Sequence, residues 1–185
     1  MKSEKYTVWI SAQHAARLRA LYKKNRRGEA AYVEELVAEG LSRTEARVAA
    51  QRARAERWPA LNTVVAGALT RRLAEPDLRG PWRALSADEA ARLALAGRWP
   101  GANERGLAQR NYELPTDLLT ALRTAAWRVS EGPLAELDAL GLVRNSTSLG
   151  PVERERRRIL VDRVYSPPRI VREALDRYGP QPSES

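Results

Sequence analysis

The feature of this sequence that most constrains the fold is an internal duplication. Residues of the first half recur in the second half at an offset of 104, where Val8, Ile10, Leu18 and Arg19 match Tyr112, Leu114, Leu122 and Arg123. The Glu-Leu and Gly-Leu pairs within 35–41 recur at an offset of 101, and the apolar pattern of 64–71 recurs at 106. Repeats of one supersecondary unit usually stack, so we expect two similar units in contact. Chance similarity between helices rich in Leu, Ala and Arg is the alternative.

Each half is predicted to contain a strand, a helix, a helix ending in Gly-Leu, a variable segment and a final helix. In the first half, alternating apolar and β-branched residues predict a strand over 5–10. The predicted helices are 12–25, 30–39 after a break at 25–28, one from the capping box at 42–45 to Trp58, and one from Asn62 to Pro76.

The second half follows the same pattern after a connector. We expect units at 1–75 and 109–179, a connector at 76–108 and a disordered tail at 180–185. The connector is predicted to hold one short helix, from the capping box at 86–89 to Gly97, flanked by Trp82 and Trp99. The predicted elements of the second unit are a strand at 109–114, helices at 116–126 and 134–140, an ambiguous segment at 151–164, and a helix from Ser166 to Gly179.

The predicted fold class is therefore mainly α, with one short two-stranded antiparallel ribbon built from both halves. A single short strand needs a partner for its backbone groups, and the other copy supplies one. Alternation predicts an inner face toward the helices, formed by Tyr6, Val8, Ile10, Tyr112 and Leu114. The outer face is predicted to carry Lys5, Thr7, Trp9, Gln109, Asn111 and Glu113.

That outer face is a candidate for reading bases. A two-stranded ribbon fits the major groove, where Asn and Gln bond adenine, Lys bonds guanine and Glu accepts from cytosine. Thr7 can contact a thymine methyl group, and Trp9 is the one tryptophan expected on this face. A polar strand face that is merely solvated is the alternative.

The charge distribution favours a polyanionic partner. The chain has 32 Lys and Arg against 23 Asp and Glu, for a net charge of +9. Residues 1–27 hold eight of the basic residues and one acid. Each neutralised phosphate releases counterions, so we expect phosphate contacts from Lys23, Lys24, Arg26 and Arg27. A solvated basic surface with no partner is the alternative.

The segment Gln109 to Pro115, followed by an amphipathic helix, resembles the strand and first helix of the ribbon-helix-helix family of DNA-binding proteins, the Arc and Met repressor type. Residues 166–175 and 62–69 are similar to that family's second helix. The resemblance implies a pseudo-dimer whose strands read bases and whose second-helix N-termini hold phosphates, here at Asn62, Thr63 and Ser166. Unlike that family, about 35 residues separate the two helices in each half.

Two other interpretations remain open. Residues 129–144 are similar to the recognition helix and wing entry of winged-helix DNA-binding proteins, with Arg156 to Val161 as the returning wing strand. An antitoxin-like protein-interaction module is the second, and it would show an exposed apolar patch on the inserted helices.

Catalysis is not predicted. The chain has no Cys and one His, so cysteine or histidine metal sites are not expected, and no phosphate loop or dinucleotide motif occurs. No catalytic residue, metal or cofactor is predicted, and His14 is expected to be structural or at the surface. The predicted function is sequence-specific binding of double-stranded DNA by a transcriptional regulator, or by an accessory factor of a plasmid or phage process. The protein is expected in the cytoplasm with the nucleoid and not at a membrane. A homodimer and a protein partner on the inserted helices are further partners that the sequence allows.

Overall fold

The structure, a computed structural model, describes residues 2–90, 107–143 and 148–180. Within these ranges the protein is mainly helical and has one two-stranded antiparallel sheet, as predicted. The first half contains β1 (Ser3–Ser11), α1 (Ala12–Ala38), α2 (Arg43–Arg57) and α3 (Leu61–Leu73). The second half contains β2 (Leu107–Pro115), α4 (Thr116–Ala139), α5 (Pro151–Asp162) and α6 (Pro167–Tyr178).

The two strands form the ribbon that the sequence predicts, and each is longer than expected, at nine residues. Ser3 pairs with Pro115 and Ser11 with Leu107, so the strands overlap along their whole length. The backbone N–H of Thr116 extends this ladder by donating to the carbonyl of Lys2. The inner face is also confirmed, because the predicted inward residues are buried except for the partly buried Tyr6.

The main core lies beneath this ribbon and is built from both halves. The final helices α3 and α6 pack extensively against each other. The core contains Val8, Ile10, Leu69, Leu114, Leu122, Ile170 and Leu175, all buried. Neither half holds the whole of this core alone. Because burying apolar side chains is the main favourable contribution to folding, each half depends on the other for stability.

The predicted break at 25–28 is wrong, because α1 runs without interruption from Ala12 to Ala38. Gly28 does not form a turn, and its lack of a side chain allows Trp58 to pack closely against α1. A Cβ at this position would lie 2.4 Å from Nε1 of Trp58, the residue that ends α2. Ser42 and Glu45 form the predicted capping box, and α2 packs back along α1 as a helical hairpin.

The second half contains a similar hairpin of α4 and α5. The two predicted helices of 116–140 are one helix, which continues through Pro133. The ambiguous segment is also helical, so the predicted wing strand from Arg156 to Val161 lies in α5 and the winged-helix interpretation is wrong there. A separate small cluster of buried side chains joins this hairpin, namely Leu137, Leu142, Leu160 and Val164.

The two long helices end in the same way. Gly40 and Gly141 follow them with positive φ angles of 104° and 64°, a conformation that glycine adopts without steric cost. The next residue donates back across the end in each case, Leu41 to the carbonyl of Leu36 at 3.1 Å and Leu142 to that of Leu137 at 2.8 Å. These glycines occupy matching positions in the two halves of the sequence.

The capping box predicted at 86–89 is confirmed. Ser86 and Glu89 exchange capping-box hydrogen bonds, and a helix starts at residue 87. Arg128 of α4 holds this start by donating to Glu89 at 2.7 and 3.0 Å. Trp82 is exposed, and its indole N–H donates to the carbonyl of Leu78. The predicted helix end at Gly97, Trp99 and residues 181–185 of the tail lie outside the described residues.

A fully buried arginine ties the ends of the two halves together. The Arg72 guanidinium donates to both carboxylate oxygens of Asp77, at 2.8 and 2.7 Å. It also donates to Glu173 of α6 at 2.8 Å and to Glu75 at 3.2 Å. These hydrogen bonds hold the pKa of Asp77 below its usual range, so the buried cation keeps its counter-charge.

Candidate nucleic-acid interface

The outer face of the ribbon presents all six side chains predicted there. Because successive side chains of a strand alternate between faces, burial of the inner set fixes the outer set. Every member is exposed: Lys5, Thr7, Trp9, Gln109, Asn111 and Glu113. Trp9 is 41% exposed, which is unusual for an indole and leaves a large flat surface on this face.

Thr7 and Asn111 lie directly opposite each other at the centre of the ribbon. The Thr7 hydroxyl donates a 2.7 Å hydrogen bond to Oδ1 of Asn111. This bond orients the amide. It leaves the NH₂ group and a second lone pair of Oδ1 able to form hydrogen bonds with a ligand. The amide therefore retains the donor and acceptor that a bidentate contact with adenine requires.

The remaining outer residues also face each other in pairs. Lys5 is opposite Glu113, and Trp9 is opposite Gln109. The side chains of Lys5, Gln109 and Glu113 form no hydrogen bond or ion pair with any part of the chain that the structure describes. Their charged and polar groups are thus available to a ligand.

The side of the ribbon that faces the helices carries two tyrosines and an ion pair to α4. Tyr6 lies opposite Tyr112, and burial raises the pKa of both phenols, so both stay protonated at neutral pH. Arg123 of α4 donates to Glu4 of β1 at 2.6 Å, and this bond lowers the pKa of Glu4. The ribbon is thereby fixed to α4.

The four predicted phosphate-binding cations are exposed, but they divide between two sides of α1. Lys23, Lys24 and Arg27 line one shallow depression along the helix with small residues between them. Arg26 lines a different cleft of about 350 Å³, against Trp58 and Asn62. None of the four has a carboxylate partner among the described residues.

The start of α3 lies beside that second cleft. The helix begins at Leu61, one residue before the predicted start, and its N-cap is Ala60, which offers no side-chain acceptor, so Asn62 does not cap it. Asn62 and Thr63 therefore belong to the first turn, where backbone N–H groups have no intrahelical acceptor. Asn25 of α1 donates to the carbonyl of Pro59 at 3.0 Å and so holds this helix start against α1.

The start of α6 does not offer free backbone N–H groups to a phosphate. Ser166 is its N-cap, as predicted, and its hydroxyl accepts from the N–H of Arg169. However, Ser166 is 2% exposed, and Pro167 and Pro168 supply no N–H groups. The Arg169 guanidinium turns back to the carbonyl of Asp162 at 2.7 Å. The structure therefore does not place Ser166 where a phosphate could reach it, contrary to prediction.

The polar cluster of Ser11, His14 and Asp176 was not predicted from the sequence. His14 is buried, as a structural histidine would be, with Nδ1 2.9 Å from the hydroxyl of Ser11 and Nε2 2.6 Å from Asp176. The serine three residues earlier was a readable signal, but Asp176 is 162 residues away. The Ser11 hydroxyl also accepts from the His14 N–H as the cap of α1. The cluster fastens the first helix of one half to the last helix of the other.

The inserted helices expose a few apolar side chains. On α5, Val152 and Ile159 are exposed, and Arg156 lies between them on the same side of the helix. A charged residue therefore interrupts the continuous apolar patch that a protein-partner groove would need.

In the ranges that the structure describes, groups of three or more His, Cys, Asp or Glu side chains arranged to hold a metal do not occur. Within the same ranges, the helices are too short or too polar to cross a membrane.

Comparisons of the chain with protein-family models, with curated proteins and with solved structures find no match.

Proposed function

We propose that this protein binds double-stranded DNA, with the outer face of the β1–β2 ribbon in the major groove. The observation that carries the proposal is a two-stranded ribbon with one face in the core and six exposed polar or aromatic side chains on the other. A ribbon of this kind has the width to enter the major groove, where each base pair presents its own donors and acceptors.

The outer side chains match the chemistry of base edges. Asn111 and Gln109 carry amides suited to adenine, Lys5 suits guanine, and Glu113 suits the amino group of cytosine. The hydrogen bond from Thr7 fixes the Asn111 amide before DNA binds, which lowers the entropy lost on binding. Sequence-specific binding by a regulator or accessory factor, without catalysis, is the corresponding activity.

The proposal includes a ribbon-helix-helix-like pseudo-dimer formed by one duplicated chain. Strand bounds and the starts of α1 and α4 differ by the offset of 104 found in the sequence. Thr7 and Asn111 are the central residues of their strands, and they are also cross-strand partners. An approximate twofold axis through this pair therefore fits both the sequence offset and the strand register.

A binding titration tests the proposal. The full chain is titrated against a pool of random DNA duplexes, the matching duplex RNA and single-stranded DNA, over about 50–200 mM salt. We expect DNA duplexes to bind most tightly and log affinity to fall linearly with log salt. Absence of duplex binding at the lowest salt, or equal binding of single strands, contradicts the proposal.

A further inference from the structure

We infer that the DNA site is asymmetric, with a non-palindromic sequence and phosphate contacts concentrated on the flank beside the first half of the chain. The inference rests on the proposed function, since it describes how the same ribbon engages DNA. Symmetric dimers bind sites whose two halves mirror the protein's twofold axis. Here the two halves have similar elements but different chemistry.

The reading positions differ at every equivalent pair. At the offset of 104, Lys5 corresponds to Gln109, Thr7 to Asn111 and Trp9 to Glu113. A cation thus replaces an amide, a hydroxyl replaces an amide, and an indole replaces a carboxylate. These groups prefer different base edges, so the two strands cannot read the same half-site.

The helix starts also differ. The start of α3 has no side-chain cap and lines the same cleft as Arg26. The equivalent start of α6 is occupied by the buried Ser166 cap and by two prolines. Only the first half can therefore add backbone N–H groups to a phosphate contact at this position.

The cations are unequally available. In the first half, the described Lys5, Arg19, Lys23, Lys24, Arg26 and Arg27 have no carboxylate partner. In the second half, Arg123, Arg128 and Arg158 each donate to a carboxylate at 2.6–2.7 Å, and among the described residues Arg110 and Arg154 have no carboxylate partner. A cation already paired with a carboxylate gains less from a phosphate, so counterion release should come mainly from the first half.

Site selection tests the inference directly. A preferred duplex is selected from a random library with the full chain and mapped by hydroxyl-radical footprinting. We expect a non-palindromic consensus with protection extending further on one side. A palindromic consensus with symmetric protection overturns the asymmetry but leaves DNA binding in place. Failure to select any duplex overturns both the inference and the proposed function.

Directed cleavage then assigns the flank. The chain has no Cys, so Ala16→Cys and Thr120→Cys, exposed equivalents in α1 and α4, each accept one iron-EDTA label. We expect each label to cut one flank only, with Ala16→Cys cutting the strongly protected one. Cutting of both flanks by each label means that the protein binds in two orientations and overturns the inference.

Charge removal provides the energetic comparison. Lys23→Ala with Lys24→Ala should reduce the slope of log affinity against log salt by about two units. Arg156→Ala with Arg158→Ala removes the same charge from exposed positions of α5 whose cations are paired with carboxylates, and it should leave that slope unchanged. Equal reductions for the two variants overturn the inference, and circular dichroism confirms that both variants are folded.

Discussion

Gly28 of α1 lies against the indole of Trp58, and an alanine Cβ there would sit 2.4 Å from Nε1. Gly28→Ala should therefore lower the free energy of unfolding by about 1–3 kcal/mol, since overpacking outweighs the better helix propensity. Gly67→Ala in α3 is the control, because a Cβ there meets no atom within 4 Å. It should stabilise the protein by up to about 1 kcal/mol. Urea denaturation measures both, and equal effects would show that α1 and α2 do not pack this closely.

The buried guanidinium of Arg72 contributes strongly to stability. Arg72→Ala leaves Asp77, Glu75 and Glu173 without their shared cation. Leaving a fully buried charge unpaired costs about 3–5 kcal/mol, and these carboxylates are partly exposed, so the loss should be about 2–3 kcal/mol. Arg71→Ala, at an exposed neighbouring position without an ion pair among the described residues, should change stability by less than about 0.5 kcal/mol. Denaturant midpoints distinguish the two, and a mild effect of Arg72→Ala would contradict a structural role for this network.

Acid should destabilise the protein through carboxylates paired with arginines. Hydrogen bonds from Arg128 and the backbone of Ser86 lower the pKa of Glu89 to about 2. A carboxyl group with a lower pKa when folded stabilises the fold above its unfolded pKa and loses that contribution as the pH falls. The free energy of unfolding should therefore drop between about pH 5 and pH 2.

Glu89→Gln tests this origin of the acid sensitivity. Removing the titrating group should make the fall in stability between pH 5 and pH 2 shallower. Glu56→Gln, at an exposed position without an ion pair in the described ranges, is the matched control. Parallel stability curves for Glu89→Gln and the unmodified protein would rule out the Arg128–Glu89 pair as a cause.

The hydroxyl of Tyr112 is buried and has no hydrogen-bond partner among the described residues. Tyr112→Phe removes this unsatisfied group while keeping the ring, and should raise the free energy of unfolding by about 1 kcal/mol or more. Tyr112→Ala leaves a cavity in the core and should lower it by about 3–5 kcal/mol. Thermal denaturation compares the two, and a destabilised Tyr112→Phe would reveal a partner for the hydroxyl.

The ribbon was predictable from the sequence because its signals are local. Alternation over Tyr6 to Ile10 and over Asn111 to Leu114 specifies which side chains face the helices, and the burial agrees. Capping boxes at Ser42 and Ser86 were also readable, since each depends on residues three apart.

The errors occurred where tertiary packing overrides local preference. Gly28 and Pro133 are typical helix breakers, yet both lie inside long helices that pack against neighbours. The contacts of His14 with Asp176 and of Arg72 with Glu173 join residues more than 100 positions apart, and periodicity carries no signal for them. At the start of α6, the two N–H groups missing at Pro167 and Pro168 were readable from the sequence, but the burial of Ser166 was not.

The most direct test of DNA reading by the ribbon is the affinity of Asn111→Ala for the selected duplex and for random duplex. Losing a bidentate base contact costs about 1–3 kcal/mol, so the selected duplex should bind roughly 5- to 150-fold more weakly. Binding to random duplex and the melting temperature should be unchanged, because Asn111 is exposed. Gln51→Ala, an amide truncation at an exposed position of α2, is the control and should bind like the unmodified protein. Unchanged affinity of Asn111→Ala for the selected duplex, or an equal loss on both duplexes, would contradict base reading by the ribbon.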